Sequence, residues 1–136
     1  MGTLRDRMLG PTVALLVTQV VHGAVPVDEN KPESESVLGF YVGILFLLLT
    51  VAALVGLIQR RPYGPPLAAW TGLAVAIGFV SYHAVPWSSA VSNPYLGEPV
   101  GAPAWLSVIL AVGAGAWCAW TGRDVLRSSR TTSSVA

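Results

Sequence analysis

Apolar residues in this chain come in long runs, and the charged residues fall in short clusters between them. No Asp, Glu, Lys or Arg occurs from Met8 to Val27, from Ser36 to Gln59, from Pro62 to Gly97, or from Pro99 to Gly122, gaps of 20, 24, 36 and 24 residues. A helix crossing the hydrocarbon layer, roughly 30 Å thick, needs about 20 mainly apolar residues, so each gap accommodates one. The 36-residue gap does not hold two, because Ser88, Ser89, Ser92, Asn93 and Pro94 fill its last third. Helix breakers then set the limits and predict four spans at about 9–25, 37–58, 67–85 and 103–121. Pro11 is expected in the first turn of the first span, and Pro65-Pro66 just ahead of the third. Pro103 is expected in the first turn of the fourth, with Gly122 at its end. Ser34 or Ser36 is the expected N-cap of the second. Open sheets cannot cross lipid with unpaired edges, so an all-α integral membrane protein is the predicted fold class.

The first span has an alternative reading. Arg5 and Arg7 followed by a short apolar run also describe a secretory signal peptide. No Ala-x-Ala precedes the polar stretch, which favours a retained helix.

Composition sharpens the solvent assignment. Charged residues are 11% of the 136 and hydrophobic ones 53%, against about 25% charged in an ordinary soluble domain. Fifteen charges are too few to cover a soluble globule of this size. A net charge of +1 gives no electrostatic basis for nucleic-acid binding. One cysteine, Cys118, excludes an internal disulfide framework, a CxxC pair and a cysteine-rich zinc site.

The placement of charge predicts an orientation. The amino tail, the second connection and the carboxyl tail hold Arg5, Arg7, Arg60, Arg61, Arg123, Arg127 and Arg130 with Asp6 and Asp124, a net of +5. The first and third connections hold Lys31 with Asp28, Glu29, Glu33, Glu35 and Glu98, a net of −4. Short loops rich in Arg and Lys stay on the cytoplasmic side. Both termini are therefore expected in the cytoplasm, in an up-down-up-down four-helix bundle of the plasma (inner) membrane. Residues 1–122 form that single domain, and 123–136 a short basic, Ser/Thr-rich, disordered tail. Tyr63, Trp70, Trp117 and Trp120 are expected at the cytoplasmic interface, and Trp87, Tyr95 and Trp105 at the outer one.

Helices in lipid associate by close backbone approach, for which small residues are the marker. Gly39-x-x-x-Gly43, Gly72-x-x-x-Ala76, Ala74-x-x-x-Gly78 and Ala111-x-x-x-Gly115 are the expected packing faces. The bulky run Leu45-Phe46-Leu47-Leu48-Leu49 is expected to meet lipid or a partner. Partners are thus the bilayer and other membrane proteins or a second copy of this chain. The outer segment from 86 to 103 is expected to form an ordered, turn-rich cap.

Candidate chemistry is sparse. His22 and His83 each precede an Ala-Val-Pro near the outer end of an odd-numbered span, and both can point at one central space. Intramembrane ionisable residues are functional candidates by default. Two imidazoles can ligate haem iron or share a transition metal, with Tyr82, Trp87, Asn93 and Tyr95 lining an outward pocket. The plainer reading is two hydrogen-bonded interface histidines without a ligand, a proton-linked role is a further alternative, and no cofactor is predicted. No paired carboxylates, Gly-x-Ser-x-Gly elbow or phosphate-cradling loop is present. The leading functional expectation is a non-catalytic accessory or assembly subunit. A metal or haem protein using His22 and His83 is the alternative, and a small transporter the second alternative.

The Ala/Gly/Val-rich spans and the segment HAVPWSSAVSNPYLGEPVGAPAW resemble small uncharacterised four-helix inner-membrane proteins of high-GC actinobacteria, over about the last two-thirds of the chain. The resemblance implies an inner-membrane location and contributes no catalytic residue.

Overall fold

The protein is described by a computed structural model over residues 3–25, 37–85, 94–96 and 100–124. Four helices account for nearly all of these: α1 Leu4–Ala24, α2 Val37–Ile58, α3 Gly64–Ala84 and α4 Ala102–Thr121. No strand occurs among the described residues. Helices α2, α3 and α4 are long and apolar enough to cross a membrane. At 1.5 Å per residue each is about 30 Å long, the thickness of the hydrocarbon layer.

The helix limits show what local chemistry adds to hydropathy. α2 has the limits expected. α1 begins five residues before the predicted 9 because Thr3 and Asp6 form a capping box. Thr3 N–H and Oγ1 each donate to Asp6 Oδ2 (3.0 and 2.7 Å), and the Asp6 N–H donates to Thr3 Oγ1 (3.3 Å). The hydrogen bonds from Thr3 hold the Asp6 carboxyl below its ordinary range. Pro11 consequently lies inside α1 and not in its first turn. α3 likewise begins at Gly64, so Pro65 and Pro66 form its first turn instead of preceding it. Their missing N–H groups cost nothing there, since first-turn donors lack intrahelical partners. Pro103 stands in the first turn of α4 and Gly122 caps its end, as expected. The proposed caps Ser34 and Ser36, the outer segment 86–93 and the tail from 125 lie outside the described residues.

Contacts along the helices fix their directions. Met8 near the start of α1 packs with Ala53 and Leu57 near the end of α2 and with Ala68 and Ala69 near the start of α3. A Cβ added to Gly122, just past α4, would stand 3.0 Å from Met8 Cε. At the other end His22 meets His83 and Ser107. Neighbours in sequence are therefore antiparallel, α1 packs antiparallel to α4 as well, and α1 and α3 run parallel across the diagonal. Helices α2 and α4 do not touch. The described chain ends, with Arg5, Arg7, Arg60, Arg61 and Arg123, lie at one end of the bundle.

Glycines set how closely the helices approach. A Cβ at Gly115 would stand 2.6 Å from the Gly72 carbonyl oxygen, so the α3 and α4 backbones touch there, and Ala76 packs beside them. Ala111 is fully buried on the same face of α4. A Cβ at Gly64 would stand 2.7 Å from the Gly56 carbonyl carbon, which closes the α2–α3 corner. That corner turns through Arg60 at φ 58°, with Arg61 N–H bonded to Gly56 O and Arg60 N–H to Leu57 O, a Schellman ending. Farther up, aromatic rings fill the glycine gaps: Phe46 lies over Gly78, and the Tyr82 ring lies over Gly39.

Two packing expectations need correction. Gly43 is no helix contact, because a Cβ there would meet nothing within 4 Å. Phe46 turns inward against the Leu15–Val75 cluster, while its neighbours Leu45 and Leu48 are exposed. Gly115→Ala should therefore destabilise the detergent-solubilised protein by about 1–3 kcal/mol, the usual cost of overpacking. Gly43→Ala should leave it unchanged, and reversible unfolding titrations of both variants check the contrast.

Candidate functional site

The side of α1 that faces the bundle carries Met8, Thr12, Leu15, Gln19 and His22, spaced alternately four and three residues apart. That spacing keeps one seam of a helix turned to its neighbours, and three of its five residues are polar. Each of the three finds a partner on another helix. Thr12 Oγ1 donates to Met8 O (2.7 Å) and lies 4.0 Å from Cys118 Sγ. Gln19 Nε2 donates to Thr50 Oγ1 (2.8 Å), and Thr50 in turn donates to Phe46 O (2.8 Å). His22 Nδ1 lies 2.9 Å from Ser107 Oγ, which donates to Ala104 O (2.7 Å). A hydroxyl has one proton, so Ser107 accepts from His22 and the ring carries its hydrogen on Nδ1.

The two histidines converge. Their ring centroids are 5.1 Å apart, edge to face at 74°. Phe79 packs on His22 (4.8 Å), and Tyr82 and Tyr95 pack on His83 (4.8 and 4.4 Å). Trp105 follows behind Tyr95 at 5.5 Å. His83 is buried, and its backbone carbonyl, near the end of α3, accepts from the Tyr95 N–H at 2.8 Å. That bond satisfies a carbonyl at a helix end that has no intrahelical donor.

Of the pocket candidates, Tyr82 and Tyr95 are thus gathered around the histidines, and Trp87 and Asn93 lie outside the described residues. Tyr95 is a correction as an interface anchor. Only 4% of it is exposed, because it folds down onto His83 and Trp105 in place of lying on a bilayer surface. Tyr63, Trp70, Trp117 and Trp120 are exposed, and Arg123 stacks over Trp120 at 4.8 Å.

The geometry also tests the cofactor readings. Axial haem ligation places a macrocycle between two imidazoles, and these two rings already touch edge to face. Haem does not fit between them. A shared metal ion would find the two imidazoles but no third ligand, since no three His, Cys, Asp or Glu side chains among the described residues converge. Cys118 is buried against Gly72 and Thr12, a packing position.

Two cavities flank α2 at the histidine end. One, about 280 Å³, is lined by Gln19, His22, Gly39, Gly43, Phe79 and Tyr82 with apolar neighbours on α2. The other, about 340 Å³, opens between α2 and α3 beside Leu38, Val42 and Phe46. Gln19, Thr50 and Ser107 were not singled out from sequence, since an isolated Gln, Thr or Ser in an apolar run carries no charge signal. The alternating spacing along α1 was the signal that places Gln19 and His22 on one seam.

Compared with known proteins, the chain matches no family, no curated protein and no solved structure.

The Gln19–Thr50 link predicts an asymmetric double-mutant cycle. Thr50→Val alone leaves a buried amide without its acceptor and should cost about 1–3 kcal/mol. Adding Gln19→Leu should recover part of that loss, with a coupling energy of about 0.6 and at most about 1.7 kcal/mol. Unfolding in mixed micelles measures all four corners.

Proposed function

We propose that this is a four-span protein of the plasma membrane, with α1 as the fourth span and both termini cytoplasmic. Its role is that of a non-catalytic accessory or assembly subunit that packs against another membrane helix. The orientation is supported by charge geometry. The five described arginines lie at one end of the bundle, and short Arg-rich segments remain cytoplasmic. α1 is less apolar than the other helices because it carries Arg5, Asp6 and Arg7 at its start and Thr12, Gln19 and His22 farther on. These last three turn inward to Cys118, Thr50 and Ser107. A helix packed on three sides does not need an apolar seam to lie in lipid.

The observation that carries the assembly role is on α2. This helix is the least buried of the three long apolar ones and touches only α1 and α3. Tyr41, Ile44, Leu48, Val51, Val55 and Ile58 are all exposed along it, spaced alternately three and four residues. A seam with that spacing stays on one side of a helix and presents knobs to a second one packed alongside.

Two outcomes test the reading. A photo-reactive residue at Leu48 or Val51 should yield one discrete protein adduct in native membranes, and one at Ile77 or Ile109 should yield lipid adducts only. Equal protein adducts from all four positions would remove α2 as the contact. For orientation, a cysteine at Ser34, in a Cys118→Ala background, should react with an impermeant maleimide in intact cells. A cysteine at Arg61 in the same background should react only after the membrane is opened.

A further inference from the structure

The cavity of about 280 Å³ between α1, α2 and α3 has a polar wall whose hydrogen-bonding state follows from its neighbours. Thr50 has one hydroxyl proton and gives it to Phe46 O at 2.8 Å, so at Gln19 it must accept. The atom 2.8 Å away is therefore the amide nitrogen, Gln19 Nε2. The amide oxygen is left over. Gln19 is only 8% exposed, and among the described residues that oxygen has no hydrogen-bond partner. The same argument fixes His22. Ser107 gives its proton to Ala104 O, so His22 Nδ1 donates to it, and a neutral ring keeps its lone pair on Nε2.

Gln19 and His22 lie three residues apart on one seam of α1, so one cavity wall offers two acceptors about one helical turn apart. Tyr82 on α3 adds a phenol ring and its hydroxyl to the lining, and the remaining side chains are apolar: Phe40, Ile44 and Leu47 on α2 and Phe79 on α3. Phe40 and Ile44 are exposed, so the cavity is flanked on its open side by apolar surface. Glycine makes the space. Cβ atoms built at Gly23 and Gly43 meet nothing within 4 Å, and both residues line the cavity.

An acceptor that opens into a largely apolar cavity gains from a bound donor, about 0.5–1.5 kcal/mol for one hydrogen bond. The cavity volume lies near the lower end of small-molecule sites, about 300–1,000 Å³. We propose that this cavity binds the hydroxyl end of a lipophilic molecule, a phenol or alcohol on a hydrocarbon body, with the O–H donated to Gln19 Oε1 or His22 Nε2 and the body against Phe40, Ile44 and Phe79. Access from the bilayer rests on the membrane-spanning reading given above; the match of donors to acceptors does not.

The test uses the full chain in detergent micelles. Probes are 4-butylphenol with its methyl ether, which lacks the donor, and 1-octanol with its methyl ether. Binding is read by displacement of a diazirine-bearing 4-alkylphenol from photolabelled α1 and α2 peptides. At least one hydroxyl probe should bind about tenfold more tightly than its ether, which is one hydrogen bond's worth. A preference confined to the phenol assigns an aromatic head, and one confined to octanol an aliphatic alcohol. Ethers that bind as well as both hydroxyl probes overturn the proposal. Gly43→Leu fills the cavity from a position with open space and should abolish labelling while keeping the unliganded melting temperature. Labelling that persists in Gly43→Leu also overturns it. Should that variant fail to fold, the hydroxyl–ether comparison on the unmodified chain decides alone. Failure of the membrane reading would appear separately, as reversed or absent maleimide labelling at Ser34.

Discussion

The contact on which the arrangement depends is the meeting of the Gly72 and Gly115 backbones. Helices surrounded by lipid gain little from hiding apolar side chains, so they hold where their backbones come within van der Waals reach. A side chain at either position would drive α3 and α4 apart. With the contact in place, the axial register of the two helices is set, and everything above it follows. Ser107 lies eight residues before Gly115 and His83 eleven after Gly72, so at 1.5 Å per residue both are carried about 12–16 Å toward the same end. There both meet His22. The convergence of the histidines is thus a consequence of a close approach more than two helical turns away.

The polar interior follows from the same lack of hydrophobic drive. A buried polar group in hydrocarbon needs an internal partner. Thr12, Gln19 and His22 each find one on a neighbouring helix, and the hydroxyls of Thr12, Thr50 and Ser107 also return protons to their own backbones. These links are individually small but directional. They set the rotation of α1 about its axis, which apolar packing between similar helices would leave loose.

How much of this is legible in the sequence depends on the physics behind each feature. The limits of α2 were legible because an uninterrupted apolar run flanked by charges has one reading. The starts of α1 and α3 were not, because proline was read as a boundary. The Thr3–Asp6 capping box carries α1 back past Pro11, and proline itself suits the first turn at Gly64. The histidine pair was legible from its repeated Ala-Val-Pro context and the diagonal position of the first and third spans. Tyr95 was misread because an aromatic in a polar outer segment suits an interface, and only the tertiary fold shows it bonded to the end of α3. Gly43 was misread because a Gly-x-x-x-Gly pattern states that a backbone is accessible, not that another backbone approaches it.

Packing density changes along the bundle, and this bears on where binding can occur. At the arginine end Gly56 and Gly64 abut, Arg60 turns the chain sharply, and Met8, Ala53, Leu57, Ala68 and Ala69 are fully buried. At the histidine end no helix backbone closes against α2, and rings take the place of backbone contacts: Phe46 over Gly78 and Tyr82 over Gly39. Rings on single bonds can rotate, whereas touching backbones cannot part without moving whole helices. The cavities flank α2 at this softer end, beside the buried amide of Gln19. A tight end that fixes register and a ring-lined end that keeps space are therefore two results of one distribution of glycines. Where glycine faces glycine the helices lock, where it faces an aromatic ring the ring fills the gap, and where it faces nothing, as at Gly23 and Gly43, the cavity stays open.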